Sequence, residues 1–527
     1  MPLPSRRYLL LTVFTSGMTV LAVEISASRL LGNIFGTSNL VWANIIGLML
    51  VYLTAGYFIG GRWADRSPNP RTFYSLLTVA AFFTGLVPLI ARPVLVFAAR
   101  AWESFDAAVL GGSFLGVLIL FSIPVTLLGC VSPFAIRLAL TDSKHAGEVA
   151  GQMYAVSTLG SIVGTFLPVL WLIPTIGTTK TFLLFAGLLL VVALIGLLVV
   201  DRRRGLLALT APVVLGLLAG RFLAGPIRPM EGLLYETESS YNFIQVVERN
   251  GTRFLLLNEG QGIHSVYNPQ QLATHGTWDL FLAAPYFNAA HTPAEVQSLA
   301  IVGLAAGTIS KQYTAVYGPI PIDGIEIDPD IVEAGRRYFD MTEPNLNVIV
   351  EDGRWALEHS ARRYSVVGID AYRLPYIPAH LTTQEFFQSV KAHLVEDGVL
   401  VINVGRTPDS DGLPGDRRLV EGMVGTLQSV FASVYVVDVP NSFNSIVYAT
   451  VLPTHASHLV ENLDRLPANT HPLLTQTLTW ALDNLQPTPQ STRLRVFTDD
   501  VASVELISNS MALRFILGGG IYQLFGP

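Results

Sequence analysis

From Tyr8 to about Ala224 the chain repeats apolar runs long enough to cross a bilayer, and after Pro226 it stops doing so. A run of about 20 apolar residues matches the hydrocarbon thickness of a membrane and exceeds any ordinary buried strand, so one water-soluble core cannot absorb this pattern. The runs fall at 8–31, 39–60, 73–98, 107–130, 150–173 and 178–200, with a shorter one at 205–220. Composition follows the same division: 51% of all residues are hydrophobic and 14% charged, and the apolar excess is concentrated before Ala224. The expected organisation is a helical membrane domain of about seven spans over 1–224, a small β-hairpin subdomain with a helix over 225–290, and an α/β Rossmann-like domain over 291–527.

The opening run, "YLLLTVFTSGMTVLAVEISASRLLG", is too long for a signal-peptide core and lacks a small-residue cleavage site, so it reads as the first membrane helix. Arg6 and Arg7, then Arg62, Arg66 and Arg71, then Arg137 and Lys144, then Arg202, Arg203 and Arg204 fall in alternate loops. That bias puts the N-terminus in the cytoplasm. A seventh full crossing would carry the following domain outside, in conflict with a cytosolic co-substrate, so the short run is expected to be re-entrant, to lie in the interface, or to pair with an unrecognised span. Glu24 lies mid-span, where an ionisable side chain is either functional or buried against a partner helix. Gly151, Ser157, Gly160 and Gly164 in "GQMYAVSTLGSIVGTF" suit close helix packing. This segment and the loop "GGRWADRSPNPR" also resemble half of a major facilitator transporter. No second half follows, which argues against a complete alternating-access transporter. The single cysteine, Cys130, permits no internal disulfide, and a net charge of −6 without a basic stripe argues against nucleic acid as a partner.

After Leu233 the pattern changes to short alternating strands around "RNGT", a two-residue hairpin turn. Then "SLAIVG", "PIDGIEID", "LNVIVEDG", "YSVVGIDAY", "GVLVINV" and "SVYVVDV" alternate with amphipathic helices, implying a doubly wound parallel sheet whose ligands sit at the carboxyl ends of its strands. Gly303 and Gly307 in the first strand-to-helix turn let the backbone approach a ligand. Glu326 ends the second strand, where an acid accepts both ribose hydroxyls. Asp352 ends the third strand and Asp370 the fourth, so a glycine turn and successive strand-end acids point to an adenosine ligand. Helix N-capping is the competing role for Asp328 and Asp352.

Over nearly the whole soluble half the chain resembles the spermidine synthases, in particular their membrane-fused bacterial relatives. "SSYNFIQVV" is similar to the family's substrate strand and "FLLLNEGQGIHSVY" to the next hairpin. "EIDPDIV" and "EDGRWAL" are similar to its cofactor motifs, and "GIDAYRLPYIPAHLTTQEFFQSVKAHLVEDGVLVINV" to the catalytic loop with its following helix and strand. The resemblance implies a membrane-anchored transferase that uses decarboxylated S-adenosylmethionine, or S-adenosylmethionine, to alkylate a small-molecule amine, with methylthioadenosine as the aminopropyl-transfer product and no metal. It implies Asp370 as the base, and Asn242, Gly303, Ala306, Gly307, Glu326, Ile327, Asp352 and Gly353 around the donor. Tyr241, His264, Trp278, Tyr372, Arg373 and Tyr376 would face the acceptor.

Two departures stand out. The family's glycine turn carries an aspartate for the donor's amine where this chain has Ala306, and its catalytic loop carries a second aspartate where this chain has Arg373. Asn242 and Trp278 replace a glutamine and a tyrosine. Other acids, Glu238, Glu259 or the pair Asp499 and Asp500, are candidates to restore cation binding. A methyltransferase, and a non-catalytic polyamine-responsive transporter or sensor, are the alternative readings. A bacterial inner-membrane location with the catalytic domain in the cytoplasm, and a homodimer, complete the expectations.

Overall fold

The computed structural model describes residues 5–35, 39–103, 108–140, 145–222, 226, 228–258, 262–372, 377–409, 415–440, 442–488 and 495–515. The chain divides into two compact units, 1–229 with 238–243, and 230–237 with 244–527.

The first unit is helical, and among its described residues seven stretches are long and apolar enough to cross a membrane, at Arg6–Gly32, Val41–Arg66, Pro70–Ala91, Gly111–Ala139, Ala146–Ile176, Thr178–Val200 and Arg202–Arg221. The seventh, expected to be short, is 20 residues long and consists of two helices, Arg202–Ala208 and Thr210–Phe222, meeting at Leu209. Small residues lock the first helix to the fifth stretch. A side chain placed on Gly160 would lie 2.1 Å from the Phe14 carbonyl oxygen, and one on Gly164 would lie 2.0 Å from that of Met18. Only hydrogen fits there, and Ser161 adds a hydrogen bond to the Gly17 carbonyl at 3.2 Å. Gly151, expected in the same seam, has open space where a side chain would project. Glu24 is half-buried in the first helix.

The segment Glu238–Phe243 packs with this helical unit. Glu238 accepts a hydrogen bond from the Thr178 backbone N–H at 2.8 Å, placing its carboxylate at the positive end of the helix Thr178–Val200. Arg29 donates to the Ser240 carbonyl.

In the second unit a four-stranded sheet has the order β1 (Leu233–Glu238), β2 (Phe243–Arg249), β3 (Thr252–Leu257), β4 (Ile263–Tyr267). The β2–β3 turn forms as expected from "RNGT": Asn250 and Gly251 take φ of 51° and 76° between the paired Arg249 and Thr252. Behind it lies an eight-stranded sheet built from β5 (Leu299–Val302), β6 (Ile322–Ile325), β7 (Leu346–Ile349), β8 (Tyr364–Ile369), β9 (Leu394–Gly405), β10 (Ser433–Asp438), β11 (Asn444–Thr450) and β12 (Leu485–Gln486), in the order β12-β10-β11-β9-β8-β5-β6-β7.

The pairs among β5 to β9 are parallel, as the alternation predicts. The expectation of a wholly parallel sheet is corrected at one edge, where β11 runs antiparallel to both β9 and β10, and β12 antiparallel to β10. The connection from Asp438 to Asn444 is too short for a crossover helix, so the chain can only turn back on itself. Two apolar layers cover the two faces of this sheet, one with Phe386, Val424 and Phe497, the other with Phe281, Phe287 and Tyr313. The expected helix "HGTWDLFLAAPYF" is a fully buried 3-10 helix, Asp279–Phe287, in the second layer.

Candidate active site

The turn after β5 is held by its neighbour: the Gly303 and Leu304 N–H groups both donate to the Ile325 carbonyl at 2.9 Å. Gly303 has φ of 89°, and a side chain on it would lie 2.6 Å from the Ala371 N and Cα atoms. The turn therefore lies directly against the backbone that follows Asp370. Gly307, also left-handed at φ 86°, ends the turn and starts the helix Thr308–Tyr317.

Glu326, just past β6, is buried. Its carboxylate accepts from the Ala305 N–H at 2.9 Å and the Asp328 N–H at 3.2 Å. Burial nevertheless lifts its pKa to about 7, because those donors only partly replace the water it has lost. Ile327 beside it is exposed. Asp328 caps the helix Pro329–Tyr338. Asp352 likewise caps the helix Gly353–Glu358, accepting from the N–H groups of Arg354 and Trp355 at 3.0 Å, and its other oxygen lies 3.1 Å from His380 Nε2. The capping role is thus realised at both positions.

Ala306 does not face open space. Its methyl group is buried in an apolar cluster with Ile244, Leu255, Ile331 and Phe339, and its N–H donates to Ser265 Oγ at 2.9 Å. The Ala306 side chain is thus packed inside the protein, and the turn carries no carboxylate at this position. Ser265 and the Thr308–Val266 hydrogen bonds at 2.9 and 3.0 Å attach β4 to the glycine turn. Half-buried His264 precedes Ser265 in β4, and loss of water pushes its pKa down to about 4.

Asp370 follows β8 directly, its N–H donating to the Val302 carbonyl at 2.9 Å. Asn403 Nδ2 donates to Asp370 Oδ1 at 2.9 Å, and the Trp278 side chain also hydrogen-bonds the carboxylate. Enclosure by protein lifts the pKa to about 7, with both donors opposing the shift. The phenol of Tyr372 is raised further, first by burial and then by the nearby Asp370 charge. A side chain on Gly405 would lie 2.6 Å from the Tyr372 hydroxyl, so that glycine makes room for the ring.

Of the expected acceptor residues, Trp278 and Tyr372 are therefore brought to Asp370. Arg373 and Tyr376 lie outside the described residues, as does Glu259. Tyr241 and Asn242 occupy the turn between β1 and β2 that packs with the helical unit, both N–H groups donating to Ser239 Oγ at 3.0 and 2.8 Å. Glu238 belongs to the same segment. Asp499 is engaged elsewhere: Arg354 grips it with two hydrogen bonds, at 2.7 and 2.8 Å, and Thr383 donates at 2.7 Å. That grip holds the Asp499 pKa at about 2. Asp500 is exposed. Among the described residues no group of three or more His, Cys, Asp or Glu side chains could hold a metal ion. Sequence reading missed Asn403, though an asparagine inside the apolar run "GVLVINV" is the kind of buried polar group that needs a partner.

A glycine turn, a buried acid past the second parallel strand and a desolvated carboxylate past the fourth lie at the carboxyl ends of the parallel strands of one α/β domain. Residues 301–458 match the family model of the spermine/spermidine synthase domain. A probable polyamine aminopropyl transferase of Bifidobacterium longum is 34% identical over 220 residues, covering 41% of this chain and 47% of the relative. The chain thus spans about half the length of that protein. A polyamine aminopropyltransferase of Vibrio vulnificus is 26% identical over 230 residues, covering 42% of this chain and 72% of the relative. Among solved structures, a probable spermidine synthase of Corynebacterium glutamicum matches 51% of this chain and 100% of its own, at 18% identity and a TM-score of 0.38.

Proposed function

We propose that the chain is a membrane-anchored aminopropyltransferase that moves a three-carbon amine from decarboxylated S-adenosylmethionine to a small amine. The contact of the Gly303 turn with the backbone following Asp370 supports the reading, because a nucleotide held at that turn would lie beside the candidate base. In the reaction the acceptor nitrogen attacks the carbon next to the sulfonium, that carbon–sulfur bond breaks, and methylthioadenosine leaves as a neutral thioether. Asp370 takes the proton released by the attacking ammonium-forming nitrogen. The enzyme's remaining work is alignment of nucleophile and leaving group.

Ala306 favours a second reading, methyl transfer from S-adenosylmethionine, since the turn presents no carboxylate to a donor ammonium. Mass spectrometry of purified protein with each donor and a panel of amines decides. Methylthioadenosine supports aminopropyl transfer, whereas S-adenosylhomocysteine or no product overturns it.

Glu326→Gln is expected to weaken methylthioadenosine binding about tenfold or more, since a carboxylate acceptor is lost and the amide NH2 faces one of the two backbone donors that the two oxygens now satisfy. Calorimetry returning unchanged affinity would remove Glu326 from the donor site.

The basic loops favour a cytoplasmic Arg202–Arg204, and the α/β domain shares that side in this reading because the stretch Arg202–Arg221 lies in the interface or re-enters instead of crossing. Cys130 is buried, so a cysteine introduced on that domain reports its own position. It should resist an impermeant thiol reagent in intact cells, and ready labelling would place the domain outside.

A further inference from the structure

Three adjacent strands line up a chain of side-chain amides that ends on Asp370. Asn444, the first residue of β11, donates from Nδ2 to Asn403 Oδ1 at 2.9 Å. Asn403 in β9 is 5% exposed and donates in turn to Asp370 Oδ1 at 2.9 Å. Strand order fixes the sequence of links, because β9 lies between β11 and β8, and Ile402 and Ile369 are in register just before Asn403 and Asp370.

The direction of the first link decides that of the second. A carboxamide has one donor end and one acceptor end. With Asn444 donating, the Asn403 oxygen is taken and its NH2 must face Asp370. Turned the other way, Asn403 would present an oxygen to the carboxylate, a contact favourable only if Asp370 holds a proton. The Trp278 side chain also hydrogen-bonds Asp370, and Tyr372 faces it from the same loop. Of Asn403, Trp278 and Tyr372, the phenol is the titratable group.

We propose that Asn444 is a positioning residue for the reaction: through Asn403 it keeps a hydrogen-bond donor aimed at Asp370 and so selects the ionised carboxylate that accepts the amine proton. Asn444 acts two links away from the carboxylate. The inference rests on the reading of Asp370 as the base.

The test compares the full-length wild-type protein with Asn444→Asp and Asn444→Leu. The protonation of Asp370 is followed by its carboxyl stretch in infrared spectra recorded against pH, with Asp370→Asn as the subtraction control. This readout needs no turnover, so a wild type that transfers nothing to any amine overturns the functional reading and leaves the relay to be judged on the titration. In Asn444→Asp the new carboxylate attracts the Asn403 NH2 and turns its oxygen toward Asp370. The Asp370 midpoint should rise by about one pH unit or more, with transfer at neutral pH falling about tenfold and donor KM little changed. Asn444→Leu removes the pin without reversing it and should raise the midpoint less. Should Asn444→Asp fail to fold, Asn444→Leu and Asn403→Leu decide, the latter with the larger rise. A midpoint equal to that of the wild type in the folded variants overturns the proposal.

Discussion

Asp370→Asn is expected to lower amine alkylation by roughly a thousandfold, while methylthioadenosine binding stays within a factor of about three. The side chains are nearly isosteric, and the amide oxygen can still accept from Asn403, but the amide cannot take a proton. The wild-type enzyme carries a signature of its own. Burial raises the Asp370 pKa to about 7, so the acid form, which cannot serve as a base, persists up to neutrality. kcat/KM should therefore fall about tenfold per unit as pH drops below about 7, and level off above it until another group titrates. A pH profile through 5 to 9 on both proteins checks this. A flat wild-type profile, or near-normal rates in the variant, would remove Asp370 from the chemistry.

The largest expected stability effect belongs to Gly303→Ala. The new methyl group would sit 2.6 Å from backbone atoms of Ala371, and backbone cannot rotate away as a side-chain tip can. The left-handed φ of 89° adds its own cost. Together these predict a loss of about 3 kcal/mol or more, and a methylthioadenosine affinity lowered at least tenfold because the turn must shift. Gly251→Ala in the β2–β3 hairpin turn separates the two causes. Its φ is 76°, but nothing lies within 4 Å of an added methyl group, so it should lose only about 1 to 2 kcal/mol. Calorimetric melting of the two variants, with and without ligand, measures the difference. Equal losses would mean that the close contact with Ala371 has no energetic weight.

Much of this fold was legible because its signals are local. "RNGT" made its hairpin, the strand-end acids landed at the carboxyl edge of the parallel strands, and the small residues of "STLGSIVG" made a helix seam. What escaped depends on strand order. Asn403 and Asp370 are 33 residues apart, and Asn444 and Asn403 are 41 apart, so no window along the chain reveals that they join across three strands. The packing partners of position 306 were hidden for a related reason. Alignment with a glycine turn assigns a place along the chain, whereas the side of the turn that packs against Ile244 and Ile331 is set by the neighbouring sheet and helix. Asp499, a candidate for cation binding in the sequence, is held by Arg354 and Thr383, which are 145 and 116 residues away along the chain.

The seam between the first helix and the fifth apolar stretch has a consequence for the order of biosynthesis. Its partners, such as Gly17 and Ser161, are 144 residues apart, and translation at about 5 to 20 residues per second separates their emergence by roughly 7 to 30 s. Throughout that interval the first helix carries a groove shaped for another backbone with nothing yet made to fill it. The N-terminal half of the bundle therefore cannot mature in the sequence in which it is made, and the nascent chain must hold its first helix in an unfinished state until the fifth arrives.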